Sequence, residues 1–182
     1  MRAGSLRHPA EILVMDADLQ VLSLGVAYLS VLAKDSAEPP YPSGLRSPAK
    51  VACRGRYTDR IVQGRYLKVG PRLFHIDSAR DALGTRADLA ITATELIGEP
   101  ARYLPERGAV RCCRVFMNFS APFLDQGGQV TDYRTLLEVA VIEAGRPQEG
   151  DVFEVGGERW TVSGYAGDTD DGIVRALWVE RS

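Results

Sequence analysis

Gly64-Arg65-Tyr66-Leu67-Lys68-Val69-Gly70-Pro71-Arg72-Leu73-Phe74-His75-Ile76 and Gly150-Asp151-Val152-Phe153-Glu154-Val155-Gly156-Gly157-Glu158-Arg159-Trp160-Thr161-Val162 are one hairpin written twice. At an offset of 86 residues Gly64 meets Gly150, Val69 meets Val155, Gly70 meets Gly156, Phe74 meets Trp160 and Ile76 meets Val162. Each copy reads as a strand, a tight turn that uses glycine's freedom at positive φ, and a return strand whose large aromatic enters a core. An acidic, glycine-containing turn follows each (Asp81 to Gly84; Gly167 to Gly172), and then a third strand, Ala87 to Ala93 or Ile173 to Val179. Upstream lies one more strand-like stretch in each copy, Val51 to Arg56 and Leu136 to Ile142, the latter alternating Leu137, Val139 and Val141 on one face.

Working outward, short apolar runs separated by Gly, Pro and Asp dominate the rest of the chain, and helical periodicity is scarce. Ile12 to Val14 and Val21 to Leu24 flank an Asp16-Ala17-Asp18 turn as a hairpin would, while Val26 to Ala33 fits a strand or a short helix. Ala37 to Pro48 is rich in proline and predicts a long loop. Gly98 to Gly108, rich in Pro, Glu and Arg, predicts the boundary between the copies. The expectation is a mainly β protein of two tandem small β-barrel or sandwich domains, residues 1–99 and 100–182, related by the internal repeat.

The chain has 182 residues, 45% apolar and 25% charged, which is enough to bury a core. Its net charge of −2 is unevenly spread: residues 1–100 carry thirteen Lys and Arg against eleven Asp and Glu, and residues 101–182 nine against thirteen. Of the 22 basic residues 19 are Arg. Three cysteines, Cys53, Cys112 and Cys113, make no even disulfide framework, and adjacent strand residues point to opposite faces. A reducing compartment is expected, with Cys112-Cys113 a buried strand pair. No secretory h-region with a cleavage site and no apolar run of about eighteen residues occurs, so the expectation is a chain neither exported nor membrane-spanning.

Candidate sites are few. GxxxxGK[ST], GxGxxG before a helix and HExxH are absent, which removes the usual anchors of an enzyme and gives no cofactor or metal to expect. His8 and His75 are the only histidines; both read as surface residues, so a small hydrolase is the weakest hypothesis. Asp168, Asp170 and Asp171 crowd Gly172, but the glycine is fifth rather than sixth and no ligating Glu follows at the required distance, so a solvated hairpin turn is expected rather than a calcium loop. Arg46, Lys50, Arg54, Arg56, Arg60 and Arg65 outnumber Asp59. Arg54, Arg56 and Arg60 are placed to share a strand face that meets either an acidic neighbour or nucleic acid. Tyr41, Tyr57, Tyr133 and Tyr165 read as core or rim residues whose loops would serve as interface anchors. The interface candidates are Tyr41, Arg46, Lys50, Arg54, Arg56, Arg60, Asp168, Asp170 and Asp171.

Over residues 1–97 the chain resembles the head-closure or head-to-tail adaptor (stopper) proteins of siphophages. The resemblance is carried by Met1 to His8 before the strand Ile12 to Val14, by Tyr57-Thr58-Asp59-Arg60-Ile61, by the Gly64 to Ile76 hairpin and the Asp81 turn, and by Ala87 to Glu95. Thr135 to Arg181 resembles the head-to-tail joining, or tail-attachment, proteins of lambda-like phages: strand, Gly-Asp, a Val-x-Gly hairpin, an aromatic, a Gly/Asp-rich turn and a final strand with Leu177-Trp178. These resemblances imply a structural protein of the virion, assembled in the bacterial host cytoplasm, and not an enzyme. They imply a homo-oligomeric ring of six or twelve subunits, with the portal or an adaptor on one side and the tail terminator or tail tube on the other. Packaged DNA would pass through that ring, the Pro-rich loop would help close the channel, and no membrane would be involved. The alternative is an OB-like module that binds nucleic acid or a ligand.

Overall fold

The computed structural model describes residues 6–32, 44–124, 127–166 and 170–182, without the side chains of Leu32 and of residues 47–49. The strands are β1 (His8–Met15), β2 (Val21–Leu32), β3 (Arg46–Arg56), β4 (Tyr66–Val69), β5 (Arg72–Arg80), β6 (Asp88–Leu96), β7 (Glu99–Leu104), β8 (Arg111–Leu124), β9 (Val130–Ala140), β10 (Val152–Val155), β11 (Glu158–Tyr165) and β12 (Val174–Arg181). One helical turn, α1 (Val141–Ala144), follows β9. The chain divides into two compact units, Met1–Leu96 and Ile97–Ser182.

Each unit is a closed antiparallel barrel. The first runs β1-β2-β3-β6-β5-β4 and the second β7-β8-β9-β12-β11-β10, so the two barrels share one strand order. Closure leaves neither sheet with an open edge along its wall. The repeated hairpins superpose in hydrogen bonding as well as in sequence. Gly64 N–H donates to Ile76 O at 3.0 Å and Gly150 N–H to Val162 O at 2.9 Å, and Gly70 and Gly156 turn the chain at φ +58° in both. A bulge interrupts the next strand pairing at matching places, between Ile76 and Ser78 and between Val162 and Gly164.

The barrel interiors are the cores. Phe74 packs with Ile12, Leu29, Leu67 and Ile76 in the first, and Trp160 with Val115, Leu137, Phe153 and Leu177 in the second. Burying each such side chain contributes roughly 1.5–3 kcal/mol. The cores meet the prediction for Phe74 and Trp160, and β2 running unbroken to Leu32 decides Val26 onward in favour of strand.

Several expectations are corrected. The units divide between Leu96 and Ile97, just before the expected boundary at Gly98 to Gly108, and that stretch carries structure of its own: β7 occupies most of it, burying Ala101 and Tyr103 alternately, and its Pro100 stands opposite Arg114 in the β7–β8 pairing. The expected loop at 37–48 ends earlier, because β3 begins at Arg46 and absorbs Pro48 where the register shifts between Arg46 and Lys50. Residues 33–43, with most of that loop and Tyr41, lie outside the described residues. Val141 and Ile142 leave β9 for α1 but stay buried. Cys113 is buried and Cys112 exposed, since alternate strand residues face opposite ways. His75 is not a surface histidine; its side chain is 12% exposed, edge-on to Tyr66 at 5.3 Å. Of the core and rim alternatives for Tyr57, Tyr133 and Tyr165, exposure of all three leaves the rim.

Candidate functional site

From Lys50 to Arg56, β3 alternates strictly. Val51, Cys53 and Gly55 face the first barrel's interior, which places Arg54 and Arg56 together on its outer wall, as the sequence predicts, with Lys50 on the same face, whereas Arg60, expected on that strand face, lies beyond the end of β3. Their surroundings differ. Lys50 Nζ donates to Asp77 Oδ2 at 2.9 Å and to Thr94 Oγ1, Thr94 Oγ1 donates to the same carboxylate at 2.8 Å, and His75 Nδ1 lies 3.2 Å from Asp77 Oδ1. Burial disfavours the Asp77 charge, yet the bonds from Lys50, Thr94 and His75 and the Lys50 charge outweigh it and hold the carboxyl below its ordinary range. Lys50 is thus committed within the barrel wall. Arg54, opposite Ser30 and Ala90, and Arg56, opposite Asp88, are exposed and hold no ion pair among the described residues. Arg46 is exposed at the start of β3.

Arg60 joins Arg56 from the connection between β3 and β4. Its Nη1 donates to Leu24 O at 2.8 Å and lies over Gly25, where a Cβ would stand 2.7 Å from that nitrogen. Gly25 itself sits at φ +103°, so this close approach uses both of glycine's freedoms. Between Arg60 and β2 opens a groove of about 360 Å³, lined by Val26, Tyr28, Arg56, Tyr57, Thr58 and Arg60. Tyr28, 61% exposed, is the more exposed of its two tyrosines. The sequence reading missed Val26 and Tyr28; the available signal was a β2 apolar on both faces, with Val26 and Tyr28 alternating against Leu29.

In the second barrel Asp168 lies outside the described residues, and Asp170 and Asp171 serve their own turn. Asp170 Oδ1 accepts from Gly172 N–H, Asp171 Oδ1 accepts from Ile173 and Val174 N–H, and Asp170 Oδ2 lies 3.8 Å from both Arg146 and Arg175. Among the described residues no group of three or more His, Cys, Asp or Glu is placed to hold a metal ion, and no helix is long and apolar enough to cross a membrane. A second apolar surface was not foreseen. β8 pairs with β7 only through Arg111–Val115, and β9 with β12 only through Thr135–Ala140, so their far ends form a ribbon beyond the wall that exposes Phe119, Leu124, Val130 and Tyr133.

Outward guanidinium groups, an aromatic groove and an exposed apolar ribbon are features of a surface that binds other macromolecules. The family model of the phage head-tail attachment protein matches residues 77–179. The chain belongs to this family. No curated protein and no solved structure matches it. The match begins in β5, runs through β6 and takes in every strand of the second barrel as far as Val179 in β12. As a head-tail attachment protein the chain has a structural role in the phage and works with head and tail components, in agreement with the resemblance carried by Thr135 to Arg181.

Proposed function

We propose that this head-tail attachment protein is a component of the phage neck whose copies form a ring between the portal or adaptor and the tail terminator or tail tube. The family match over residues 77–179 carries this reading. Two closed barrels with exposed aromatic and basic surfaces support it, because a rigid wall can present contacts without rearranging. The first barrel acts as the head-closure-like module and the second as the tail-joining module. The ring surrounds the DNA exit channel, and the Pro-rich segment before β3 helps close it. The protein resides in the virion after assembly in the host cytoplasm. Cryo-electron microscopy of intact and tailless particles tests this: density for both barrels in a ring between portal and tail is the expected result, and a neck fully accounted for by other chains refutes it.

A second reading draws on Arg54 and Arg56, which face outward and hold no ion pair among the described residues, Arg56 beside Tyr57. As an OB-like nucleic-acid module the first barrel would bind DNA with an affinity that falls steeply with salt and is lost on changing both arginines to glutamate. Salt-independent or absent binding removes this reading.

A further inference from the structure

The two barrels can be compared position by position, because the pairings fix equivalent residues. Leu29 pairs with both His8 and Gly55; Val115 pairs with both Glu99 and Val139. Leu29 and Val115 are therefore equivalent, as are Tyr28 and Arg114, which stand opposite Pro9 and Pro100. Four residues beyond Gly55 and Val139 come Asp59 and Glu143.

At this place the second barrel is closed. α1 brings Glu143 onto β8, where its carboxylate accepts the Arg114 N–H at 2.9 Å and grips the Arg114 guanidinium through Nε and Nη2 at 2.9–3.1 Å. In the first barrel the same place is the open groove. Asp59 is exposed and does not line it, Arg60 turns back onto Leu24 O, and Arg56, Tyr28 and Tyr57 are left at the surface. The second barrel seats a carboxylate from its own chain; the first offers guanidinium groups, Val26 and Tyr28, and no carboxylate lines the groove among the described residues.

We infer that this groove is a contact between copies: it takes a carboxylate side chain from the acidic second unit of a neighbouring copy, in the position that Glu143 fills within the second barrel. Charge complementarity argues for that occupant. Residues 1–96 carry thirteen basic against ten acidic residues, and residues 97–182 nine against fourteen, so each copy offers both halves of an attractive pair. A contact between unlike surfaces of identical chains is heterologous, and such contacts build rings when the rotation closes. The inference deepens the neck reading and rests on it only for the ring's place in the particle.

Sedimentation velocity on the full chain tests the contact without any phage particle, so its failure is separable from that of the neck reading. The wild-type chain is expected to associate, less tightly as salt rises. Arg56→Glu and Tyr28→Ala, both at exposed positions, each weaken association at least about tenfold, with thermal melting unchanged. Arg80→Glu, an equal change of charge on the exposed end of β5, leaves association as it is. Because an Arg56→Glu copy keeps its acidic unit, it caps wild-type assemblies when mixed with them and shortens them. Any of three results overturns the inference: a wild-type chain still monomeric at about 0.1 mM, where a micromolar contact is saturated; association unchanged by both groove variants; or association intact while joining of purified heads to tails is lost, which would assign the groove to a head or tail component.

Discussion

Equivalent positions in the two barrels solve one packing problem in two ways, and the difference can be measured. Leu29 and Gly55 face each other across β2 and β3; Val115 and Val139 do the same across β8 and β9. A Cβ added at Gly55 would stand 2.5 Å from Leu29 Cδ2, far inside van der Waals contact, and Leu29 is fully buried. Gly55→Val therefore overpacks a closed core and is expected to destabilise the first barrel by about 3 kcal/mol. Leu29→Val removes one methylene and costs about 1 kcal/mol. The double variant, which writes the second barrel's pair into the first, removes the Leu29 Cδ2 clash but keeps a net gain of two side-chain carbons, so it should cost about 2 kcal/mol, a coupling of roughly 2 kcal/mol between the sites. In a unit of this size about 3 kcal/mol moves the melting midpoint by roughly 12–24 °C, well resolved by calorimetry of the full chain. Additivity within about 0.5 kcal/mol would refute the equivalence of the two pairs and, with it, the residue correspondence behind the groove.

Asp151, 4% exposed, accepts from Tyr103 OH at 2.6 Å, Gln148 N–H at 2.7 Å and Glu106 N–H at 2.8 Å; Asp151→Ala strands those donors and should cost about 3–5 kcal/mol, read by urea denaturation. Burial pushes the Cys53 thiol up to about 11 and the Cys113 thiol up to about 12, so a thiol reagent near pH 8 is expected to titrate Cys112 in the native protein and all three after denaturation. Asp77 is held below its ordinary range, so the stability it contributes is present above about pH 4 and lost as pH falls through its lower folded value. Asp77→Asn should shrink the acid-induced drop in melting temperature between pH 6 and 3 relative to wild type, and an unchanged drop contradicts this assignment.

The hairpins were legible because their signal is local: glycines at the turns, an aromatic on the return strand and an 86-residue repetition of both. β7 was not legible, because Pro100, Glu99 and Arg102 have the composition of a linker and only the short alternation of Ala101 and Tyr103 marks a wall. The outward pair Arg54 and Arg56 followed from strand alternation alone, whereas the end of β3 before Arg60 and the commitment of Lys50 to Asp77, 27 residues away, are tertiary facts. Arg60 crossing to Leu24 O, 36 residues back, builds the groove, and no window of sequence contains both ends. The acidic residues that look most like a site, Asp170 and Asp171, are spent on their own turn, while Asp151, an ordinary Gly-Asp in the sequence, is the buried acceptor that ties β7's end to the hairpin.

Duplication gives these observations their weight. Where the barrels agree, at Gly64 and Gly150, Gly70 and Gly156, Phe74 and Trp160, and the paired bulges, the agreement is what closing a six-stranded barrel demands, and it would persist whatever the surface did. Where they disagree at equivalent places, closure does not choose. Arg65 stands where the second barrel has Asp151, Tyr28 where it has Arg114, and Asp59 where it has Glu143. The last two differences adjoin one groove, and Arg65 donates to the carbonyl of Arg60, which lines that groove. Divergence that leaves the barrel intact and gathers around one surface is explained by a difference in what each barrel must meet, and the inferred contact supplies it: the second barrel seats its own Glu143 where the first has a groove for a neighbouring copy's carboxylate.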